Sequence, residues 1–309
     1  MTREPLLFDL TGRAELRVSG KDRAAFLHGL LTNDVARLSP GAGLHAALLS
    51  PKGKMRADLV VLAREDALLV DAEPSLAPTL EPLLRGFLFF QEVVLEDLTA
   101  TRGVLHLTGD APFLSLGVSP LPTSAHASVA ATLSGHDVLL VREARTARFG
   151  VDVRAAREAL PALKSALLAA GAREAPLETL EDLRIEAGIP RWGADLDENV
   201  LPNEAWFERD AISYNKGCYI GQETVARIRT YGHVNRHLVR LLVTQGDEPA
   251  RAGDEVSLAG EKIGKVTSAA RVNGSEIALG YVKREHEETG TEVLVGGRPA
   301  TITDFPLPS

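Results

Sequence analysis

The chain contains 309 residues, with 42 acidic and 34 basic side chains, a formal net charge of −8 and a single cysteine. At about 150 residues per domain, this length predicts roughly two domains. One cysteine excludes an internal disulfide, a zinc site made of several cysteines and an iron–sulfur cluster held by this chain alone. The acidic balance argues against a protein that binds nucleic acid mainly through a basic surface.

No segment of the sequence has the pattern of a signal peptide or a membrane span. Charged residues interrupt the apolar residues at the start of the chain, so a signal-peptide core does not fit there. Residues 111–136 lack Asp, Glu, Lys and Arg, but prolines break this stretch, and we predict a surface loop followed by a small-residue helix. Because a lone cysteine fits a reducing compartment, we expect a cytoplasmic protein.

Helical and strand patterns alternate in the first part of the chain, and helical patterns dominate the middle. Apolar residues at helical spacing predict helices at residues 21–38, 75–84, 154–170, 177–187 and 222–229. Apolar runs bounded by turn residues predict strands at residues 44–50, 55–63, 67–72, 93–97 and 103–109. The turn Pro51-Lys52-Gly53-Lys54 is expected to join the first two strands as a hairpin.

The pattern changes near residue 235. From Leu238 onward, short strand patterns are separated by glycine-bearing turns, which is typical of a small β-barrel or sandwich. We therefore predict one module over residues 1–235 and a second over residues 236–309.

Charge is unevenly distributed on the two sides of residue 212. Residues 178–210 carry ten acidic side chains and three arginines, whereas residues 213–240 carry five basic side chains and one glutamate. Two solvated surfaces of opposite sign are the commoner interpretation of such segments. The other interpretation is a site for a ligand that has N–H donors at one end and carboxylates at the other. Folates, with a pterin ring and a glutamate tail, have both.

The single cysteine, Cys218, lies in the basic segment between Gly217 and Gly221. These glycines favour a tight turn or a close approach of the backbone to another group. Both Lys216 and the predicted helix that begins at Gln222 would favour the thiolate form of the cysteine. A small buried hydrophobe is the usual alternative for a lone cysteine. We favour a reactive or ligand-contacting thiol.

The segment around this cysteine resembles a known signature. Residues 216–223, Lys-Gly-Cys-Tyr-Ile-Gly-Gln-Glu, continued by Ala226-Arg227, are similar to the signature of the YgfZ branch of the folate-binding aminomethyltransferase superfamily, which includes the glycine-cleavage T-protein. Further similarities, which extend the resemblance to essentially the whole chain, are Gly-Lys-Asp-Arg at 20–23, Leu-Thr-Asn-Asp at 31–34, Ser-Pro-Lys-Gly-Lys at 50–54, Arg-Ile-Glu-Ala-Gly-Ile-Pro at 184–190, Leu-Pro-Asn-Glu-Ala at 201–205 and Gly-Lys-Val-Thr-Ser-Ala at 264–269.

The resemblance implies an α+β fold, in which two related α/β folate-binding subdomains surround a central hole and an antiparallel β-barrel follows. It places subdomain boundaries near residues 50 and 143 and makes the first subdomain discontinuous. The implied cofactor is tetrahydrofolate or a one-carbon derivative of it. We expect a monomer that holds no metal and has no direct nucleic-acid or membrane partner.

The resemblance also implies roles for individual residues. Glu204 matches the glutamate that holds the pterin in the T-protein, in agreement with the carboxylate expected from the charge pattern. Arg227 or Arg236 would contact the glutamate tail, and Asn33 is expected to contribute to cofactor binding.

One position departs from the true aminomethyltransferases. In those enzymes an Asn-Ala-Gly strand end is followed, seven residues after the asparagine, by the catalytic aspartate. The counterpart here is Asp71-Ala72-Glu73, and Pro78 occupies the position of the aspartate. Because proline can neither accept a proton nor stabilise an iminium ion, Glu73 or Glu81 could replace the carboxylate only from a shifted position.

These residues lead to two main functional hypotheses. The first is a tetrahydrofolate-binding accessory protein that supports iron–sulfur cluster assembly or repair, and thereby cluster-dependent enzymes such as those that modify tRNA. Cys218, activated by Lys216 and packed or gated by Tyr219, would act at the mouth of the folate pocket. Because one thiolate cannot hold a cluster, iron–sulfur assembly proteins or client cluster enzymes would be the partners. The alternative is a folate-dependent aminomethyltransferase, and a scaffold with a relic pocket is a third hypothesis.

Overall fold

A computed structural model of the chain describes residues 4–246 and 248–305. In chain order its strands are β1 (Leu6–Asp9), β2 (Ala14–Ser19), β3 (Gly43–Leu49), β4 (Met55–Ala63), β5 (Ala67–Ala72), β6 (Val94–Asp97), β7 (Arg102–Thr108), β8 (Ser128–Leu133), β9 (His136–Arg142), β10 (Gly150–Ala156), β11 (Arg173–Glu174), β12 (Arg236–Val243), β13 (Glu255–Leu258), β14 (Glu261–Val272), β15 (Ser275–Lys283), β16 (Glu292–Val295) and β17 (Arg298–Thr303). The α-helices are α1 (Arg23–Leu30), α2 (Ala77–Arg85), α3 (Ala111–Ser115), α4 (Leu160–Ala169), α5 (Leu177–Glu186) and α6 (Gln222–Tyr231).

A five-stranded antiparallel sheet has the strand order β3-β4-β5-β2-β6. The predicted hairpin between β3 and β4 is confirmed, since the Ser50 amide donates to the Lys54 carbonyl at 2.7 Å. Gly53 completes this turn with a φ of 77°, in the left-handed region that favours glycine. Leu27 of α1 and Leu80 of α2 are buried against the sheet and complete its core.

A six-stranded sheet has the strand order β11-β1-β7-β10-β9-β8, with β1 and β11 as its parallel pair. Helix α4 buries Leu163 and Leu167 in its core. The chain passes from this sheet to the five-stranded sheet after β1 and returns before β7. The six-stranded unit is therefore discontinuous in sequence. The chain thus changes sheets between β1 and β2 and again between β6 and β7, whereas the boundaries expected from the resemblance lie near residues 50 and 143.

The third unit is a closed antiparallel barrel with the strand order β12-β15-β14-β13-β16-β17. Strand β12 pairs with both β15 and β17 and so closes the ring. Alternating residues of β12, Val239, Leu241 and Val243, are buried in the barrel core. Closure removes the exposed sheet edges that an open sheet of this size would leave.

The predicted fold class is confirmed. Two sheets with their helices surround a central cavity, and the closed antiparallel barrel follows them. Among the described residues, no helix is long and apolar enough to cross a membrane.

Some predicted helices are wrong in part. The small-residue helix expected within residues 111–136 is the edge strand β8, which pairs with β9 along its whole length. The first residues of the helix predicted at 154–170 belong to β10, because this strand pairs with β7 on one side and β9 on the other. The helix predicted at 21–38 ends at Leu30, since Leu31 forms a bridge with Leu48 of β3.

Candidate functional site

A cavity of about 1280 Å³ lies where the three units meet. It is lined by Asp9 and Arg145 from the six-stranded sheet and its loops, by His45 and Asp58 from the five-stranded sheet, and by Leu238 of the barrel. Helix α5 with the following turn, and residues 205–210, complete the wall. The volume is ample for a cofactor-sized ligand, since typical ligand pockets measure about 300–1000 Å³.

His45 is held between two carboxylates in this wall. Its Nε2 lies 2.6 Å from Oδ1 of Asp58, and its Nδ1 lies 3.1 Å from Oδ2 of Asp210. Burial alone would lower the pKa of His45, but the two carboxylates outweigh it and raise the pKa to about 10. With a pKa of about 10, the imidazole is a cation at neutral pH and donates through both ring nitrogens.

A second histidine–carboxylate pair lies beside the first. His126, in the loop before β8, contacts Oε1 of Glu143 at 2.9 Å, and its ring centroid lies 6.3 Å from that of His45. Burial opposes the charged form of both groups, but their pairing raises the pKa of His126 and lowers that of Glu143. The cavity wall therefore contains two histidine–carboxylate pairs. His45 and Asp58 come from the five-stranded sheet, and His126 and Glu143 come from loops of the six-stranded sheet.

A buried ion network joins the two sheets next to the cavity. Asp71, at the end of β5, accepts from Arg13 at 2.6 Å and from Arg154 of β10 at 2.9 Å. Arg154 and Arg145 also contact Asp152 of β10. Burial alone would raise the pKa of Asp71, but these arginines hold it at about 2. Arginine partners thus neutralise the buried carboxylate at the end of β5.

The barrel is attached to the cavity wall through Asp195. Its carboxylate accepts from Ser268 at 2.7 Å, from Thr267 at 2.5 Å and from Arg184 of α5. The hydroxyl of Tyr281 donates to its backbone carbonyl at 3.0 Å. Since Arg184 lines the cavity, the barrel fixes one wall of it.

An arginine and an aromatic residue form another part of the wall. Trp206 has a φ of 63°, unusual for a bulky residue, and its ring stacks on His237 at 4.1 Å. The Arg209 guanidinium lies 4.6 Å from the Trp206 ring and 5.8 Å from that of Phe305. No described carboxylate forms an ion pair with Arg209, so this exposed cation in the cavity wall is available to an anionic ligand group.

The predicted pterin ligand Glu204 lies outside the residues that line the cavity. It is buried, its Oε2 accepts from the Leu201 amide at 3.0 Å, and both its oxygens lie 3.2 Å from guanidinium nitrogens of Arg236. The structure thus brings Glu204 and Arg236 together as an ion pair. Arg227 lies apart from them, on the exposed face of α6, where it pairs with Glu223 at 2.7 Å.

Asn33 and Lys216 have structural contacts. The Asn33 amide donates to the carbonyls of His45 and Asp210, each at 2.8 Å. The Lys216 ammonium donates to three backbone carbonyls, those of His28, Leu31 and Asn33. These use all three of its donors, and burial lowers its pKa to about 8.

Cys218 and Tyr219 lie outside the cavity lining as well. The thiol is exposed, and the Tyr219 ring is partly buried with the Lys216 ammonium 5.0 Å from its centroid. Burial raises the pKa of Tyr219 to about 12. The structure therefore places neither residue in the cavity wall, although the neighbouring Lys216 contacts the backbone carbonyl of Asn33.

Sequence reasoning missed His45, Asp58 and Asp210. A signal was present, because His45 interrupts an otherwise apolar strand and Asp58 directly precedes the apolar run of β4, where an ionisable side chain needs a partner. Asp210 lies 165 residues from His45, and no local pattern reveals that contact.

Two sheets around a polar cavity, followed by a closed barrel, define a class of multi-unit α+β ligand-binding proteins. Residues 2–215 match the family described as "GCVT N-terminal domain", and residues 236–307 match the "Glycine cleavage T-protein C-terminal barrel domain". The chain therefore belongs to the glycine-cleavage T-protein family.

Similar proteins carry transferase names. An aminomethyltransferase of Rubrobacter xylanophilus is 30% identical over 310 residues, which are 98% of this chain and 82% of that protein. A putative chloroplast transferase of Arabidopsis thaliana is 29% identical over 94% of this chain and 68% of its own length. The crystal structure of the glycine cleavage system aminomethyltransferase T from Bartonella henselae has the same fold, with a TM-score of 0.89, 24% identity, and coverage of 98% of this chain and 86% of that one.

Proposed function

We propose that this chain binds tetrahydrofolate, or a one-carbon derivative of it, in the central cavity and that bound one-carbon units are handled there. The observation that carries this proposal is the cavity itself, whose wall presents several carboxylates together with the exposed Arg209. A pterin offers N–H donors and a glutamate tail offers carboxylates, so both ends of the ligand meet complementary groups. Family membership supports the same ligand.

Among reactions of bound folate, aminomethyl transfer has the better support from similar proteins, because several are named aminomethyltransferases. In such a reaction, this chain's residues would bind the cofactor, orient it and limit the access of water. Tetrahydrofolate supplies the one-carbon chemistry when bound.

A specific observation favours a second candidate function. Pro78 lies in α2 and is not in the cavity wall, while Asp71 and Glu73, which do line the cavity, are both engaged by Arg13. The exposed thiol of Cys218 is accessible to another protein. These features support an accessory protein of the YgfZ type that assists iron–sulfur proteins with folate bound, and we propose that it acts as a monomer in the cytoplasm. A partner must then supply the remaining cluster ligands.

Calorimetry with tetrahydrofolate tests the cavity. We expect saturable binding that weakens about tenfold in Arg209→Met, because a charge-assisted hydrogen bond to the glutamate tail is lost. The matched control is Arg85→Met, which removes an exposed arginine that pairs with Glu81 on its own helix and lies outside the cavity wall. Absence of binding by the unmodified protein would contradict the proposal.

Two further measurements separate the candidate functions. Aminomethyl transfer to tetrahydrofolate by the purified protein supports the transferase. If deletion of the gene lowers the activity of cluster-dependent enzymes, and Cys218→Ala fails to restore it while the unmodified gene succeeds, the accessory role is supported. Full restoration by Cys218→Ala removes the thiol from that mechanism.

A further inference from the structure

One histidine of the cavity wall has a ring nitrogen that is left open. His126 directs Nδ1 to Oε1 of Glu143 at 2.9 Å and lines the cavity. Within residues 4–246 and 248–305, no group forms a hydrogen bond or an ion pair with its Nε2, and protein atoms do not enclose this nitrogen. In His45, the other histidine of the described cavity wall, carboxylates hold both ring nitrogens. His126 is therefore the imidazole whose edge is available to a ligand.

The backbone around His126 fixes the position of this imidazole. His126 has a φ of 59°, in the left-handed region, and its amide donates to the Arg142 carbonyl at 2.9 Å. It also packs against β3, because a Cβ added to Gly43 would lie only 2.4 Å from the His126 carbonyl oxygen. A residue other than glycine keeps this conformation only where its surroundings hold it there, and such residues cluster at functional sites.

The charged groups around the ring allow it to gain and lose a proton. Burial and the His45 cation, whose ring centroid is 6.3 Å away, oppose the imidazolium form, whereas Glu143 and Asp210 favour it. Together these groups raise the pKa of His126 from its usual value. A histidine whose Nδ1 is held by a carboxylate and whose Nε2 is open can act as a general acid and as a general base.

Two carboxylates of the same wall are less suited to proton transfer. Arg13 engages both Asp71 and Glu73. Burial alone would raise the pKa of Asp71, but its arginine partners hold it at about 2. A group this acidic stays ionised at neutral pH and accepts protons poorly.

We propose that His126 transfers protons during one-carbon transfer in this cavity and that Glu143 is its positioning residue. The inference rests on the proposed aminomethyl transfer and adds the group that handles the protons of that reaction.

The proton transfers of this step balance. The aminomethyl carbon exchanges its bond to a leaving heteroatom of the donor for a bond to a nitrogen of tetrahydrofolate, whose lone pair forms the new bond. The leaving atom keeps the electron pair of the broken bond and takes the Nε2 proton of His126. The neutral imidazole then takes the proton that the folate nitrogen loses, so His126 returns to its starting state.

Kinetics and calorimetry with the purified protein test the assignment, with tetrahydrofolate as acceptor and a freshly prepared S-aminomethyl thiol as donor. In His126→Gln the amide can still donate to Glu143 but cannot carry the proton. We expect the rate at saturating substrates to fall about 100- to 1000-fold, while the affinity for tetrahydrofolate is retained. The matched control is His233→Gln, which removes an exposed histidine outside the cavity wall and should leave the rate unchanged.

The pH profile separates proton transfer from a merely structural role. Because the protonated imidazole starts the reaction, the rate of the unmodified protein should fall as the pH rises through the pKa of His126. Glu143→Gln removes a carboxylate that favours the imidazolium, so this limb of the profile should move to lower pH. A structural role of Glu143 would lower the rate and leave the limb in place.

Chemical rescue gives an independent measurement. Glycine adopts a φ of 59° without strain, so His126→Gly removes the ring and keeps the backbone. Added imidazole should raise the transfer rate of His126→Gly and leave that of His126→Gln unchanged, because the glutamine side chain fills the space of the ring.

The outcomes are distinguishable. If the unmodified protein binds tetrahydrofolate but transfers no aminomethyl group, the transferase function and this inference fail together, and folate binding stands. If it transfers the group, but His126→Gln keeps its rate or Glu143→Gln leaves the pH limb in place, only the assignment of His126 and Glu143 is overturned.

Discussion

His45 determines the charge balance of one side of the cavity. Its cation separates Asp58 from Asp210, and its loss would leave two carboxylates facing each other in a partly buried wall. Sequence patterns reveal that a histidine in an apolar strand needs partners, but they do not reveal which ones. The site could therefore be predicted only as far as its chemical character, a cavity with carboxylates and cations.

The raised pKa of His45 predicts a pH dependence of stability. A group whose pKa is about 10 in the folded state and about 6.5 when unfolded binds more protons in the native protein between these values. Its stabilising contribution is therefore complete below about pH 6.5 and is lost as the pH rises toward 10.

We expect the difference in free energy of unfolding between the unmodified protein and His45→Gln to shrink steadily over that interval. Urea denaturation at a series of pH values measures it. Using the difference removes contributions from other groups, such as Lys216, whose lowered pKa acts in the opposite direction. A difference that is independent of pH would show that His45 is not charged in the folded state.

The elements of this fold differ in how far local sequence determines them. Helices α5 and α6 are predicted correctly, since each has local helical spacing and a clear end. Strands β8 and β10 are not, because their pairing with β9 supplies the information that decides their conformation. Gly221 is an intermediate case. The sequence around it indicates a tight turn or a close backbone approach, and the structure shows which group it approaches.

Gly221 precedes α6 with a φ of 79°, and a Cβ there would lie 2.5 Å from the Ser50 carbonyl oxygen. We expect Gly221→Ala to lower the free energy of unfolding by about 3 kcal/mol, from backbone strain together with steric overlap.

Gly135 supplies the matched control, because its φ is 80° and nothing lies within 4 Å of its hypothetical Cβ. Gly135→Ala should cost only about 1 kcal/mol, the strain alone. Chemical denaturation of both variants gives the comparison. Equal losses of unfolding free energy in the two variants would mean that the close approach of Gly221 to the β3–β4 hairpin adds nothing to the cost of the substitution.

At the scale of the whole molecule, Asp71 connects the two sheets. It lies on β5, whereas Arg154 lies on β10, and both are almost completely buried. Breaking a buried ion pair by removing one partner costs about 3–5 kcal/mol, because the remaining charge is left without compensation. No sequence pattern predicts this network, since its members come from distant strands that only the tertiary fold brings together.

We expect Asp71→Asn to destabilise the protein by about 3–5 kcal/mol at pH 7, and exposed Asp137→Asn to change stability little. Asp71 has a folded-state pKa of about 2, so its contribution is present above about pH 3.9 and is lost as the pH falls toward 2. The penalty of Asp71→Asn should therefore diminish in acid, which unfolding measurements between pH 2 and 7 can follow. A constant penalty would contradict the depressed pKa.

The meeting of three units at one cavity also has a consequence for biosynthesis. Asp9, near the beginning of the described chain, and Leu238 and Phe305 of the last unit all line the same space. A nascent chain that has emerged only as far as residue 235 lacks two of these wall residues, even if both sheets have formed. The wall of this cavity is therefore completed late in the synthesis of each molecule, only after residue 305 has emerged.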